Sequence, residues 1–427
     1  MSEFATIAVH GGTSNSDAHG ALRPPIYDSV AFEHPDARSM QLTFEGRKPA
    51  HAYSRITNPT VSDFEQRIST LCGGGFVLAV SSGMAAISNT ILALAGADTN
   101  IVTSRNLFGN TLSLFQKTLA PWGLETRCVD MTDLGAVATA IDGKTRAVFL
   151  ETMTNPQLEV ADCTAIAGIC RDKNVPLIMD NTVMTPYLFD CKEAGVAIEV
   201  LSSTKYISGG ATTLGGLIID HGTFDWSNAP RLVERAEKFG RMALLSSLRQ
   251  EVYRNLGACM APNTAYLHTL GLETLKMRIE KSCGNAAEIA HFLNDHPRVR
   301  DVHYPGLESS QFHVLSNRQF KGRYGGILTF ELDSQETCFA LIDGLQLIRR
   351  ATNINDNKSL IIHPASTIFA EYSAGEKEEM AIRPTTIRLS VGIEECDDII
   401  ADLADGLDAL PSMRTGTSSA ARQQQYA

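Results

Sequence analysis

The lysine at position 205 stands in surroundings that point directly to chemistry. It lies between an apolar stretch and a glycine-rich one, in the segment LSSTKYISGGATTLGG. A lysine amine that is partly removed from water is a nucleophile that forms a Schiff base with an aldehyde. The hydroxyls of Ser202 and Thr204 flank Lys205 and suit the oxygens of a phosphate group. The alternative is a charged surface lysine at a strand end, because most lysines are exposed.

A carboxylate and a glycine turn stand at the ends of two other apolar stretches. Asp180 ends the run PLIMD, where a buried carboxylate is costly unless paired, and it could meet a cationic ring nitrogen or cap a helix. In AVSSGMAAI a turn through Gly83 leads to a helix that begins near Met84. The N–H groups of such a start bind phosphate, although an ordinary strand-to-helix turn has the same pattern. No Walker lysine or G-x-G-x-x-G follows, which disfavours nucleoside triphosphates and dinucleotides.

Apolar runs of strand length alternate with helical segments around these residues. The predicted strands cover residues 76–80, 146–151, 176–180, 198–203 and 215–220. Helical patterns lie between most of them, as at 84–96 and 164–174. This alternation predicts a mostly parallel sheet that is covered on both faces. Sites in such sheets gather at the carboxyl ends of the strands, where Asp180 and Lys205 stand.

The whole chain is predicted to have four parts. Residues 1–58 are irregular, so we expect an arm that packs on a body, its own or a neighbour's. A helix start at Asn58 opens the larger domain, residues 59–258. Residues 259–410 predict a smaller α+β domain, and the polar tail 411–427 is expected to be disordered. The apolar runs of the smaller domain are 325–332, 345–352 and 385–392.

Composition disfavours several classes of function. The 427 residues carry a formal net charge of −11, which makes nucleic acid or an anionic membrane a poor partner. No apolar stretch of about 18 residues is present to span a membrane. Nine scattered cysteines without a C-x-x-C pair indicate reduced thiols, not a disulfide framework or a zinc site. Because the first residues do not form a leader pattern, we expect a cytoplasmic protein.

The helix start, the strand-end aspartate and the lysine are together what pyridoxal 5′-phosphate needs: a phosphate cradle, a partner for the ring nitrogen and a covalent anchor. The sequence also resembles the Cys/Met-metabolism family of pyridoxal-phosphate enzymes over about residues 5–408, and is most like O-acetylhomoserine sulfhydrylase. The resemblance rests on the segments YSRITNPT, SSGMAAI, ETMTNPQLEV, DNTVMTP, SSTKY, SLIIHPAST and IRLSVGIE. It implies the α/β PLP-dependent transferase fold (aspartate-aminotransferase-like, fold type I), with a mostly parallel sheet in the large domain and a smaller C-terminal α+β domain.

The resemblance further implies a role for each matched residue on the cofactor. Lys205 would anchor the cofactor and carry protons, and Asp180 would pair with its ring nitrogen. Phe108 would stack on the ring, and Asn155 would contact its phenolic oxygen. The phosphate ligands within the subunit would be Gly83, Met84, Ser202 and Thr204.

The substrate and the neighbouring subunit are also assigned by the resemblance. Arg388 would clamp the substrate α-carboxylate with its planar fork, and Asn353 would border the substrate. Without the resemblance, Arg388 would be read as an exposed strand arginine. Tyr53 and Arg55 would reach the phosphate of a neighbouring subunit. This implies a homotetramer, a dimer of dimers with shared active sites.

Several positions depart from the family pattern. Phe108 replaces the usual tyrosine, so it can stack on a ring but cannot move a proton. Asn353 stands where lyases and cystathionine synthases tend to have serine. Asn355 replaces a usual glycine, and Ile368-Phe369 replaces threonine-histidine, at the border of the substrate pocket. We interpret His363, in the shared motif SLIIHPAST, as a core histidine with a structural role.

The resemblance implies an enzyme of γ-substitution. The leading hypothesis is replacement on O-acetyl-L-homoserine with sulfide or methanethiol, which gives homocysteine or methionine, and Phe108 and Asn353 favour it. The runner-up is a γ-lyase that acts on methionine or another γ-substituted homoserine. A third hypothesis is a cofactor-binding protein without catalysis, against which the presence of Lys205, Asp180 and Arg388 speaks.

Overall fold

The structure is a computed structural model that describes residues 3–11 and 19–411. Its larger sheet is built from seven strands, all between residues 76 and 220. The strands are β1 (Phe76–Val80), β2 (Thr99–Ser104), β3 (Leu124–Val129), β4 (Thr145–Glu151), β5 (Leu177–Asp180), β6 (Ile198–Leu201) and β7 (Gly216–Asp220).

The large sheet has the strand order β1-β7-β6-β5-β4-β2-β3. Neighbours from β6 to β3 are parallel, whereas β7 runs antiparallel to both β1 and β6. Every residue of β6 is buried, as expected for a strand whose two faces are both covered. The predicted mostly parallel sheet is therefore confirmed, and β5 and β6 bring Asp180 and the segment before Lys205 to its centre.

Helices cover the sheet and connect its strands. Helix α3 shows how the sequence sets them: Asn58 caps its first N–H groups, Pro59 occupies its first position, and Phe64 and Ile68 are buried. The helices are α1 (Phe4–His10), α2 (Ala37–Phe44), α3 (Pro59–Leu71), α4 (Gly83–Leu94), α5 (Gly109–Ser113), α6 (Leu134–Ala140), α7 (Cys163–Asp172), α8 (Thr185–Leu188), α9 (Val233–Phe239), α10 (Ala243–Ser247), α11 (Tyr253–Leu256), α12 (Pro262–Glu273), α13 (Leu275–Asp295), α14 (His313–Phe320), α15 (Gln335–Gly344), α16 (Ala374–Glu379) and α17 (Cys396–Asp408).

A second sheet of five strands forms the core of the C-terminal part. Its order is β10-β11-β12-β9-β8, with β10 parallel to β11 and the other neighbours antiparallel. The central strand β12 is buried throughout and carries Arg388. The boundary predicted near residue 258 falls between the two sheets and stays a prediction. The strands are β8 (Asp301–His303), β9 (Ile327–Glu331), β10 (Arg349–Arg350), β11 (Leu360–Ile362) and β12 (Thr386–Ser390).

Some predicted elements need correction. Strands β2 and β3 are not predicted, because neither is a continuous apolar run. Strand β2 begins and ends with polar residues, and β3 lies partly exposed at the sheet edge. The run 345–352 contains only the two-residue strand β10, whose arginines are both exposed. Elsewhere the predicted strands agree with the structure to within one or two residues at each end.

The N-terminal arm is more ordered than the sequence predicts, because it contains α1 and α2. The arm packs on its own chain: the ring of Phe4 lies 4.9 Å from that of Tyr187, and Arg23 forms an ion pair with Glu273 at 2.7 Å. Beyond Pro411, the predicted disordered tail lies outside the described residues. Within the described part of the chain, no helix is long and apolar enough to cross a membrane.

Candidate active site

A turn through Ser81 and Ser82 connects the carboxyl end of β1 to the start of α4. Ser82 caps the helix, and its Oγ accepts a hydrogen bond from the Ala85 N–H at 3.1 Å. The N–H groups of Gly83 and Met84 precede the first intrahelical hydrogen bonds and are available to a ligand. A Cβ atom at position 83 would stand 2.7 Å from Ser202 Cβ, so glycine is required there. The predicted turn is thus confirmed.

Ser202 joins this turn to Asp180 through a threonine. The Ser202 N–H donates to Thr182 Oγ1 at 2.8 Å, and the Thr182 N–H donates to Asp180 Oδ1 at 3.0 Å. Burial raises the pKa of Asp180 to about 6, while hydrogen bonds from Thr182 and the charge of Lys205 lower it. The carboxylate is therefore ionised at neutral pH, as a partner of a cationic ring nitrogen must be.

Lys205 is held by a side chain from the C-terminal part of the chain. Its Nζ donates to Asn353 Oδ1 at 2.6 Å, and Asn353 Nδ2 donates to Asp356 at 3.1 Å. Burial, together with the nearby charge of Arg388, lowers the pKa of Lys205 to about 8. The side chain is only partly exposed, so the alternative of an ordinary surface lysine is not supported. An amine of this kind is a competent nucleophile near neutral pH.

Arg388 is buried behind Asn353 and is only 1% exposed, which corrects the expectation from strand pattern alone. Its Nη2 donates to the carbonyl oxygens of Thr352 and Asn353, at 3.0 and 3.1 Å, and its Nη1 donates to Asn155 Oδ1 at 3.1 Å. Burial lowers the pKa of Arg388 to about 9, so it stays cationic at neutral pH. Its Nε has no partner among the described residues, which leaves a donor for an anionic ligand.

Glu151 is a site residue that the sequence interpretation missed. It ends β4 as Asp180 ends β5, so the same signal, a carboxylate at the end of an apolar strand, would have found it. Its Oε1 accepts a hydrogen bond from the Phe108 N–H at 2.7 Å, which fixes the turn that carries the phenylalanine ring. Burial, together with the charge of Asp180, raises the pKa of Glu151 well above its usual range.

The structure does not bring every predicted site residue close to Asp180, Lys205 and Arg388. Thr204 is engaged with the backbone of Gly215, which it contacts through both a donated and an accepted hydrogen bond. Tyr53 and Arg55 lie exposed on the arm, with Arg55 over the tyrosine ring at 5.4 Å and bonded to the carbonyl oxygen of Arg254. Their contact with a phosphate therefore stays a prediction. His363 is a buried histidine whose two ring nitrogens are both hydrogen-bonded, one to the Ser366 hydroxyl and the other to the Pro384 carbonyl oxygen.

The geometry of the single chain fits pyridoxal phosphate at three points. The α4 start offers N–H groups where a Cβ has no room, Asp180 carries a negative charge, and Lys205 has a lowered pKa. When bound, the cofactor would draw electrons from the α-carbon of an amino acid, and Arg388 could hold the carboxylate of that amino acid. A fold with a central parallel sheet and such a site defines a pyridoxal-phosphate-dependent enzyme.

The chain belongs to the Cys/Met metabolism family of PLP-dependent enzymes, whose sequence profile matches residues 5–408. It is 36% identical to the O-acetyl-L-homoserine sulfhydrylase of Corynebacterium glutamicum, over 95% of this chain and 97% of that protein. It is 34% identical to the L-methionine γ-lyase of Pseudomonas putida, over 95% and 97%. Family membership confirms the predicted resemblance, and it makes a cofactor-binding protein without catalysis an unsupported alternative.

A solved structure supports both the fold and the cofactor. The crystal structure of a Campylobacter jejuni protein assigned as an O-acetylhomoserine (thiol)-lyase matches this one with a TM-score of 0.89. The two sequences are 36% identical, over 95% of this chain and 99% of that chain. That protein carries N′-pyridoxyl-lysine-5′-monophosphate at its position 205.

Proposed function

We propose that the enzyme catalyses γ-replacement on O-acetyl-L-homoserine. The C–O bond at Cγ breaks, acetate leaves, and the sulfur of sulfide or methanethiol forms a new bond to Cγ. The products are homocysteine or methionine. The observation that carries the proposal is the position of Asn353, which accepts a hydrogen bond from Lys205 through its side chain and one from Arg388 through its backbone.

Through these two hydrogen bonds, Asn353 connects Lys205, at the reacting end of the site, with Arg388, which would bind the substrate carboxylate. Lys205, once its amine is free, is placed to move protons at the α- and β-carbons of a substrate that Arg388 holds. Asp180 keeps the ring nitrogen of the cofactor protonated. Asn353 contributes an amide where a serine hydroxyl would be shorter. The relative from C. glutamicum that is named a sulfhydrylase supports the γ-replacement reaction.

A γ-lyase is the second candidate, supported by the relative from P. putida. Both reactions need the same steps up to departure of the γ-substituent, so the cluster of Lys205, Asp180 and Arg388 serves either. Phe108 favours replacement, because its ring has no hydroxyl to protonate a leaving group or an intermediate. The product that forms, homocysteine or methionine on the one hand and 2-oxobutanoate on the other, distinguishes γ-replacement from the γ-lyase reaction.

The test is a product assay on the purified holoenzyme with O-acetyl-L-homoserine, with and without sulfide, and a Lys205→Ala variant as the control. Replacement predicts homocysteine that forms only when sulfide is present, and none from the variant. Release of 2-oxobutanoate at the same rate with and without sulfide would show a γ-lyase instead.

We also propose a homotetramer, a dimer of dimers in which the arm completes a neighbour's site. Large apolar side chains of the arm are exposed in the single chain, which is typical of a surface that another subunit covers. They include Leu22, Ile26, Tyr27, Val30, Met40, Phe44 and Tyr53. Light scattering of the purified protein would give the mass directly, and a monomer would contradict the proposal.

The nine cysteines, all free in the described structure, support a reducing compartment such as the cytoplasm. Fractionation of cells that express the tagged protein tests this location.

A further inference from the structure

The turn that carries Phe108 is held by a hydrogen bond from the C-terminal part of the chain. The Tyr372 hydroxyl donates to the carbonyl oxygen of Gly109 at 2.7 Å, although 263 positions separate the two residues. Tyr372 is only 5% exposed, so water hardly competes for this hydrogen bond. The Phe108 N–H, one peptide unit earlier, donates to Glu151 Oε1 at 2.7 Å. Because Glu151 lies opposite Asp180 in the pairing of β4 with β5, the turn lies beside the site.

The local sequence does little to fix this turn by itself. Helix α5 begins directly after Phe108, whose side chain has no oxygen to accept the first N–H groups of the helix. The helix has five residues and continues into a π-helical stretch, Leu114–Leu119. A helix this short is marginal without tertiary contacts. The position of the Phe108 backbone therefore depends on the hydrogen bonds that Glu151 and Tyr372 make to the turn.

Tyr372 is itself fixed by close packing. The segment before it lies so near Gly109 that a Cβ atom at position 109 would stand 3.1 Å from the Ile368 carbonyl oxygen and 3.5 Å from the Phe369 ring. The rings of Phe369 and Tyr372 lie 5.7 Å apart, and Lys117 Nζ stands 4.9 Å from the centre of the Tyr372 ring. Ile368 and Phe369 replace the threonine-histidine of the family pattern, so this contact is formed in part by residues in which the chain departs from its family.

We propose that Tyr372 is a positioning residue for Phe108: its hydroxyl holds the Gly109 carbonyl, so that the phenylalanine ring keeps its orientation towards the ring of pyridoxal phosphate. The inference rests on the proposed stacking of Phe108 on the cofactor. The strength of a stacked pair depends on the distance and angle between the two rings, so a turn that can shift weakens the contact. Tyr372 acts on Phe108 through the backbone of the turn.

Two tyrosine variants test this. Tyr372→Phe removes only the hydroxyl, and Tyr304→Phe is the matched control, because the buried Tyr304 hydroxyl also donates to a glycine carbonyl oxygen, that of Gly325 at 3.0 Å. The dissociation constant of pyridoxal phosphate is measured by equilibrium dialysis, and the visible circular dichroism of the bound cofactor is recorded on the holoenzyme. We expect Tyr372→Phe to bind the cofactor about two- to tenfold more weakly, the range for one neutral hydrogen bond, with an altered circular dichroism. Tyr304→Phe should match the wild type in both measurements.

A double-variant cycle shows whether Tyr372 acts through Phe108. Phe108→Leu removes the aromatic ring, so Tyr372→Phe should have little further effect on cofactor binding in that background. An equal loss of affinity in both backgrounds, or wild-type affinity and circular dichroism in Tyr372→Phe, would overturn the inference and leave the hydroxyl a role in packing alone. Thermal unfolding of each protein verifies that the variants are folded.

The same set of proteins separates this inference from the proposal on which it rests. If Phe108→Leu alone leaves the affinity and the circular dichroism of the cofactor unchanged, the stacking role of Phe108 itself is wrong, and the inference about Tyr372 is overturned with it. If Phe108→Leu weakens binding but Tyr372→Phe does not, Phe108 stacks on the cofactor without help from Tyr372.

Discussion

Asn353 Oδ1 lies 2.6 Å from Lys205 Nζ, although 148 positions separate the two residues in the chain. The lysine follows a strand of the large sheet, and the asparagine lies in the segment between two strands of the second sheet. The amine that would anchor the cofactor is thus oriented by the part of the protein that also carries Arg388. The two sheets therefore build a single site.

Substitution of Asn353 should damage catalysis without unfolding the protein. Asn353→Ala removes the acceptor of the Lys205 amine, and the loss of one hydrogen bond to a charged group corresponds to about tenfold or more in kcat/KM. Steady-state kinetics with O-acetyl-L-homoserine measure it, with exposed Asn294→Ala as the matched control. An Asn353→Ala enzyme with wild-type kcat/KM would show that this contact is not used.

The lowered pKa of Lys205 should be visible in the uptake of cofactor. The amine must be neutral to attack an aldehyde, so the rate rises with pH while protonated lysine remains. With a pKa of about 8, the rate should level off above about pH 8 to 9. An ordinary lysine, with a pKa of about 10.4, would give a rate that continues to rise. Stopped-flow absorbance of apoenzyme mixed with pyridoxal phosphate distinguishes these profiles.

Arg388→Lys should weaken substrate binding because an ammonium group cannot replace the planar fork. We expect KM for O-acetyl-L-homoserine to rise about 10- to 100-fold, as for the loss of a hydrogen bond to a charged group. The control is a substrate analogue without the α-carboxylate, on which the wild type and the variant should perform alike. If the variant is equally impaired on the analogue, Arg388 acts on something other than the carboxylate.

Gly83→Ala should destabilise the protein by about 1–3 kcal/mol, because the new methyl group would overlap Ser202. Gly284, in the middle of α13 and exposed, is the matched control, because a Cβ there meets nothing within 4 Å. Gly284→Ala should stabilise the protein by about 0.5–1 kcal/mol through helix propensity. Denaturant unfolding of both apoenzymes measures the difference, and equal effects would contradict the close contact at position 83.

Shared active sites predict complementation between two impaired variants. Lys205→Ala removes the anchor of a subunit's own site, whereas Arg55→Ala impairs the site of its neighbour. A mixed dimer then contains one intact site, so random mixing should restore about a quarter of the wild-type sites. Activity after the two variants are denatured and refolded together measures this. A mixture no more active than the separate variants would place Arg55 outside a shared site.

Much of the site could be predicted, because each of its residues is marked by the sequence pattern immediately around it. The turn before α4, Asp180 and Lys205 each follow an apolar strand, and parallel strands deliver their carboxyl ends to one edge. The Lys205–Asn353 contact could not be predicted from pattern, since it depends on how the two sheets pack. The sequence pattern alone predicts an exposed Arg388, because it does not show that β12 lies in the middle of its sheet with both faces covered.

The buried contacts of Glu199 with His221 and Asn181 could not be predicted from sequence pattern for a related reason. One glutamate inside the run IEVLSS looks like an irregularity of a buried strand, and its partners come from elsewhere in the chain. His221 becomes a partner only because β7 runs antiparallel to β6 and ends beside Ala197, whose carbonyl oxygen accepts the His221 N–H. Burial and pairing of this kind depend on topology, which the sequence interpretation gave only in outline.

In the proposed site, Lys205 anchors pyridoxal phosphate. The most direct measurement is to reduce the holoenzyme with borohydride, digest it and locate the pyridoxyl group by peptide mass spectrometry. We expect one labelled peptide, modified at Lys205, and no label when the amine is removed in Lys205→Ala. A pyridoxyl group on another lysine, or none on a protein saturated with cofactor, would contradict it.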